Sequence, residues 1–199
     1  GFTKLQNDSR LHHVLLMSVF RLSQLTMRLP VDIPTTLRFL VHAKQLASIL
    51  GEKRLLLELL FMSQQVFTKI GAYGDLIRVC EEAISIAEEI DQTEDIGISL
   101  FNLAQAYAET SAPEQAIDFL TAAELKIAKH SSPTEWVSLK LQQIELARKL
   151  GKSQERDISP IIDTAKNIYE MRSDWAGIAQ VLKEVAGRVY HETDAAKAL

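Results

Sequence analysis

The sequence predicts an all-α protein, an α-α superhelix of antiparallel helix pairs, on three observations. Apolar residues recur at i, i+3, i+4 and i+7, and no segment alternates with the period of two that a strand requires. Gly, Pro, Ser and Asp interrupt this pattern at intervals that leave helices of about 18 residues. Shifting the chain by 40 residues brings it into register with itself: Leu40, Cys80 and Leu120 align, as do Ala43, Ala83 and Ala123, then Ala47, Ala87 and Ile127. At 199 residues and 47% apolar content the chain can bury a core, and the register favours a stack of small units over one globule.

The helices follow in order. The first is expected over 9–28 and the second over 32–50, with a break at 32–34 where Asp32 precedes Pro34. A second break at 51–53 opens the helix 53–70, and the Gly-rich turn 71–75 opens 74–90. The next runs over 94–110. Ser111-Ala112-Pro113-Glu114 reads as a capping box starting 113–130, and Ser132-Pro133-Thr134-Glu135 as another starting 133–150. Ser159-Pro160 begins 159–171 in the same way, followed by 173–192 and a helix from 194 onward. Other columns agree. Leu60 meets Leu100, Met27 aligns with Phe67 and Tyr107, Ser23-Gln24 matches Ser63-Gln64, and Gly71, Ser111 and Gly151 mark one recurring turn. A two-residue slip in the polar stretch 151–160 then places Ile162, Ala165 and Tyr169 in the columns of Leu120, Ala123 and Ile127. The Tyr-x-Glu-Thr sequence beginning at Tyr107 and again at Tyr190 is therefore duplicated packing, two units apart, rather than a duplicated active site.

Charge excludes some classes of function. Residues 1–54 carry eight Lys/Arg against three Asp/Glu, residues 55–135 four against fourteen, and residues 136–199 ten against nine. An acidic middle third offers no continuous basic stripe for nucleic acid. The seven acids between Glu81 and Asp95 read as a solvated helix face. No apolar run approaches the ~20 residues of a membrane span, and the start of the chain lacks a secretory signal layout. The single cysteine, Cys80, falls on an apolar face, which makes it a buried, inert thiol and fits a cytoplasmic protein.

The third unit, with Leu100, Leu103, Ala104, Tyr107, Ala116, Leu120 and Ala123, resembles a tetratricopeptide repeat (TPR). Close helix crossing explains the pattern: small Ala104 against Ala116, with larger side chains between successive pairs. In the second unit Leu60, Phe67, Gly71, Tyr73, Cys80 and Ala83 keep most of the spacing, with Gln64 at the small position; in the fifth, Ala186, Gly187 and Tyr190 do. The resemblance spans nearly the whole chain as about five repeats of 40 residues, against the family's usual 34. The last repeat is incomplete, so residues 1–199 are expected to be one repeat domain within a longer protein.

Catalytic motifs are scarce. His12 and His13 are adjacent and point to different helix faces, His42, His130 and His191 stand apart in the sequence, and phosphate loops, nucleophile elbows and Cys clusters are absent from the sequence. Glu109 and Glu192 are two repeats apart. No enzymatic activity, metal or cofactor is therefore expected. Trp136 and Trp175 read as filler between repeats.

The resemblance implies a concave groove lined by the first helix of each unit. Its wall would carry Glu58, Phe61, Met62, Gln65 and Lys69, then Ile98, Phe101, Asn102, Gln105 and Glu109, then Gln142, Glu145 and Arg148, and finally Glu184, Arg188 and His191. Asn102 sits where peptide-binding TPRs place an asparagine that bonds the ligand backbone. Gln65 and Gln105 would do similar work, with Phe61, Met62 and Phe101 as exposed apolar anchors. The Lys/Asn/Arg clamp of chaperone-binding TPRs is not reproduced. The expectation is a non-catalytic scaffold for a protein or peptide partner, binding neither nucleic acid nor membrane. The alternative is a ligand- or signalling-peptide-sensing domain of a larger transcription or signal-transduction regulator. Self-association through the terminal repeat faces is a further expectation.

Overall fold

The structure, a computed structural model, describes residues 12–18, 20–24, 33–110, 112–127, 133–151 and 159–171, with positions 176, 177, 179 and 183. A helical segment within 12–24 leads into α1 (Ile33–Ile49), α2 (Lys53–Ile70), α3 (Tyr73–Glu89), α4 (Thr93–Glu109), α5 (Pro113–Glu124), α6 (Pro133–Lys149) and α7 (Ser159–Met171). The described residues contain helices and turns and no strand. Each helix packs on the next. In addition α2 touches α4 and α4 touches α6, whereas α1, α3, α5 and α7 do not touch one another. The chain is thus an all-α superhelical stack, with α2, α4 and α6 as the closer-spaced inner layer.

One turn design recurs. Glu52, Ala72, Gln92 and Ala112 each send their backbone N–H five residues back, to the carbonyls of Ala47, Phe67, Ala87 and Tyr107, at 2.8–3.0 Å. These bonds satisfy the carbonyls stranded at a helix end, and the carbonyls of the same four residues begin the following helix, accepting from Leu56, Leu76, Ile96 and Ala116. The reversal needs a left-handed residue, supplied by Gly51 and Gly71 at φ 69° and by Asp91 at φ 55°. Turns between and within repeats are therefore alike, a 20-residue period inside the 40-residue one.

One expectation changes at α5. Its N-cap is Ala112, which makes no side-chain cap, and Pro113 stands in the first turn, while Ser111 of the expected capping box lies outside the described residues. The helix expected to reach 130 stops at Glu124, because the chain tightens there, with Lys126 and Ile127 N–H both bonded to the Ala123 carbonyl. Ile127 then lies against Gly97, where a Cβ would meet its Cγ1 at 2.7 Å and its backbone N at 3.1 Å. Ser111, Ser132, most of 173–192 and everything from 194 lie outside the described residues; positions 176, 177, 179 and 183 are helical.

The core is a relay. Leu16 and Phe20 of the leading segment join Leu40, Ala43 and Ala47, then Leu56, Leu57, Leu59 and Leu60, then Val79, Ala83 and Ala87. Leu76 and Cys80 pack with Leu103 and Ala106; Ala104, Ala116, Leu120 and Ala123 continue to Leu139 and Leu146; Val137 and Leu141 meet Ala165 and Tyr169. Trp136 packs on the last two clusters at once, the filler role expected of it. Tyr107 stacks on Phe119 with ring centroids 5.1 Å apart, so the tyrosine of Tyr-x-Glu-Thr is a packing residue. Its counterpart Tyr190, and Trp175, lie outside the described residues.

Candidate functional site: a cleft between α4 and α6

The inner faces of α4 and α6 enclose a cleft of about 300 Å³. One wall is Phe101, Gln105, Ala108 and Glu109, which the helical period sets on one face of α4. Ser138, Gln142, Glu145, Leu146 and Lys149 form the other, on one face of α6. Of the predicted groove residues, Phe101, Gln105, Glu109, Gln142 and Glu145 thus come together.

Polarity in the cleft is unevenly used. Lys149 is held by Glu145, Nζ to Oε1 at 2.8 Å. Glu109 is exposed and has no cation partner among the described residues. Gln142 is only 8% exposed, yet its amide makes no hydrogen bond among the described residues. Every fully buried side-chain N or O among them is bonded, so this amide opens onto the cleft rather than being sealed beneath it. Buried Leu146 and half-buried Phe101 supply an apolar surface beside it.

The rest of the predicted groove is arranged differently. Phe61 and Met62 are not exposed anchors: both are half-buried against the first core cluster, because the α1–α2–α3 packing draws that side of α2 inward. Gln65 and Lys69 are exposed on α2, away from the cleft lining. Asn102 is tied to its neighbour, donating from Nδ2 to Gln64 Oε1 at 2.6 Å, while Gln64 Nε2 donates to Ser99 Oγ at 3.3 Å. Gln64, 1% exposed, is therefore more than an oversized residue at a small position: it joins α2 to α4 through two polar side chains. Arg148 belongs to α6 but its side chain lies outside the described residues, as does the whole of Arg188.

Sequence reasoning missed Ser138 and Lys149 as lining residues. The signal was present, since they stand four residues before and seven after Gln142 on the same helix face.

The described residues offer little other chemistry. No group of three or more His, Cys, Asp or Glu is placed to hold a metal ion, and no helix is long and apolar enough to cross a membrane. Cys80 is buried, and desolvation, with a smaller contribution from the Glu81 charge, pushes its thiol up to about 12. No protein-family model matches the sequence, and no curated protein matches it.

Proposed function

We propose that the chain is a non-catalytic, TPR-like interaction scaffold that holds an extended peptide segment of a partner protein against its inner helices. The observation that carries this reading is the α4–α6 cleft, where an unbonded, nearly buried amide faces a space shared with apolar side chains. A peptide group presents one donor and one acceptor, the complement of a glutamine amide, while alternate side chains of an extended strand reach sideways into pockets. The TPR comparison rests on the residue pattern around Ala104, Tyr107 and Ala116 and on the layered helix pairs. A cytoplasmic setting belongs to the same reading, supported by the lone, buried thiol of Cys80.

The test is selection from a phage-displayed library of linear peptides. Enriched peptides should bind the whole chain and lose roughly tenfold or more in affinity when Gln105 and Gln142 are both changed to Ala, about 1.4 kcal/mol. Enrichment that is indifferent to this double change, or none at all, would contradict the groove assignment.

A further inference from the structure

We propose that the α4–α6 cleft selects a peptide carrying a basic side chain, with Gln142 engaging the ligand backbone and Glu109 the cationic head. This rests on the peptide-groove reading and names the chemistry that the groove prefers.

Three charged side chains line the cleft, and Glu145 and Lys149 neutralise each other at 2.8 Å. Glu109 is left as negative charge with no cation partner among the described residues. It is also the last residue of α4, whose final turn contains no basic side chain, so the negative pole of the helix adds to the carboxylate. A Lys or Arg side chain answers both features. Its methylene stem can lie along Phe101 and Leu146 while the head reaches Glu109, the arrangement by which long basic side chains cover apolar surface. An acidic side chain would meet like charge from Glu109 and the helix end together. The α4 wall belongs to residues 55–135, a segment with fourteen acids against four bases that draws a basic partner from longer range.

The backbone role falls to Gln142 rather than Asn102. The two occupy the same repeat position, 40 residues apart, but Asn102 already donates to Gln64. Gln142 makes no hydrogen bond among the described residues while remaining more than nine-tenths buried. Because it opens onto the cleft, the amide is free to exchange water for a ligand, and a bound peptide group would satisfy its donor and its acceptor.

Fluorescence anisotropy with the whole chain tests the proposal. The probes are three fluorescein-labelled nonapeptide libraries, randomised except for a central Arg, Ala or Glu. The Arg library should bind roughly fivefold or more tighter than the Ala library, and the Glu library weakest. Glu109→Gln, at an exposed position, should erase the Arg preference, so that the Arg and Ala libraries bind that variant equally. Gln142→Leu, checked for folding by circular dichroism, should weaken all three libraries alike. Equal binding of the Arg and Ala libraries overturns the basic preference and leaves the peptide groove standing; no binding by any library removes both. Displacement of the Arg library by free spermidine at concentrations matching an unlabelled Arg-centred peptide would mean that a bare cation is recognised, and would also overturn the proposal.

Discussion

Gln64 shows how one side chain can convert a predicted ligand contact into an internal one. Its position aligns with Ala104, where close helix crossing favours a small residue, and its amide instead reaches across to Ser99 and Asn102 on α4. Gln64→Leu keeps the volume and removes both bonds, leaving Ser99 Oγ buried without this partner. Urea unfolding should show a loss of about 1–3 kcal/mol; an unchanged midpoint would mean that the pair of bonds contributes nothing net. Spacing located Asn102 on the inner layer but could not reveal that its amide was engaged, because the partner lies 38 residues away in the sequence. Cys80 was legible from its apolar neighbours alone. With its thiol raised to about 12, it should resist Ellman's reagent at pH 8 in the native protein and react on unfolding. A raised folded value also fixes the sign of its pH dependence. Its stabilising effect is whole below the ordinary thiol value of 9.0 and declines as pH rises toward 12, because the unfolded chain releases the proton first. Cys80→Ala should lack that alkaline component.

At the scale of elements, the 3.6-residue period and turn chemistry placed most helix ends. The expected 53–70 and 159–171 coincide with α2 and α7, 32–50, 74–90 and 94–110 differ from α1, α3 and α4 by one residue at each end, and 133–150 differs from α6 by one residue at its end. The failure at α5 is instructive. Ile127 continues the apolar pattern and is buried, yet the helix ends at Glu124, and Gly97 leaves the room that Ile127 fills. Forty residues earlier the sizes are reversed: Leu57 and Ala87 occupy the matching positions, and both are fully buried. Gly97→Leu should clash and cost about 1–3 kcal/mol or more, and Ile127→Ala about 2–5 kcal/mol through the cavity it leaves. Combined, they recreate the second unit's pairing and should recover part of both losses, with a coupling of roughly 0.5–3 kcal/mol in thermal or urea unfolding. Simple additivity would contradict the size exchange.

The whole molecule is a chain of neighbours, and that explains what its sequence could and could not disclose. Each helix pair repeats one packing solution, so columns such as Ala43, Ala83 and Ala123 reveal the stack without any alignment. The cleft belongs to no single repeat. It arises where α4 and α6 face each other, and the two walls are offset, so that Gln105 shares the space with Gln142 as well as with Glu145, its counterpart in the register. Repeat arithmetic gave the faces, whereas the offset depends on how far one helix pair turns against the next. The central claim is that this inner cleft is where a partner peptide sits. Side-chain amide resonances of the glutamines test it most directly, recorded while an unlabelled Arg-centred peptide is titrated into the isotope-labelled chain. Those of Gln105 and Gln142 should shift and saturate together, while those of Gln45 on α1 and Gln115 on α5, exposed on the outer helices, stay in place. Shifts at Gln45 or Gln115, with Gln105 and Gln142 unmoved, would put the binding surface on the outer layer and contradict the account.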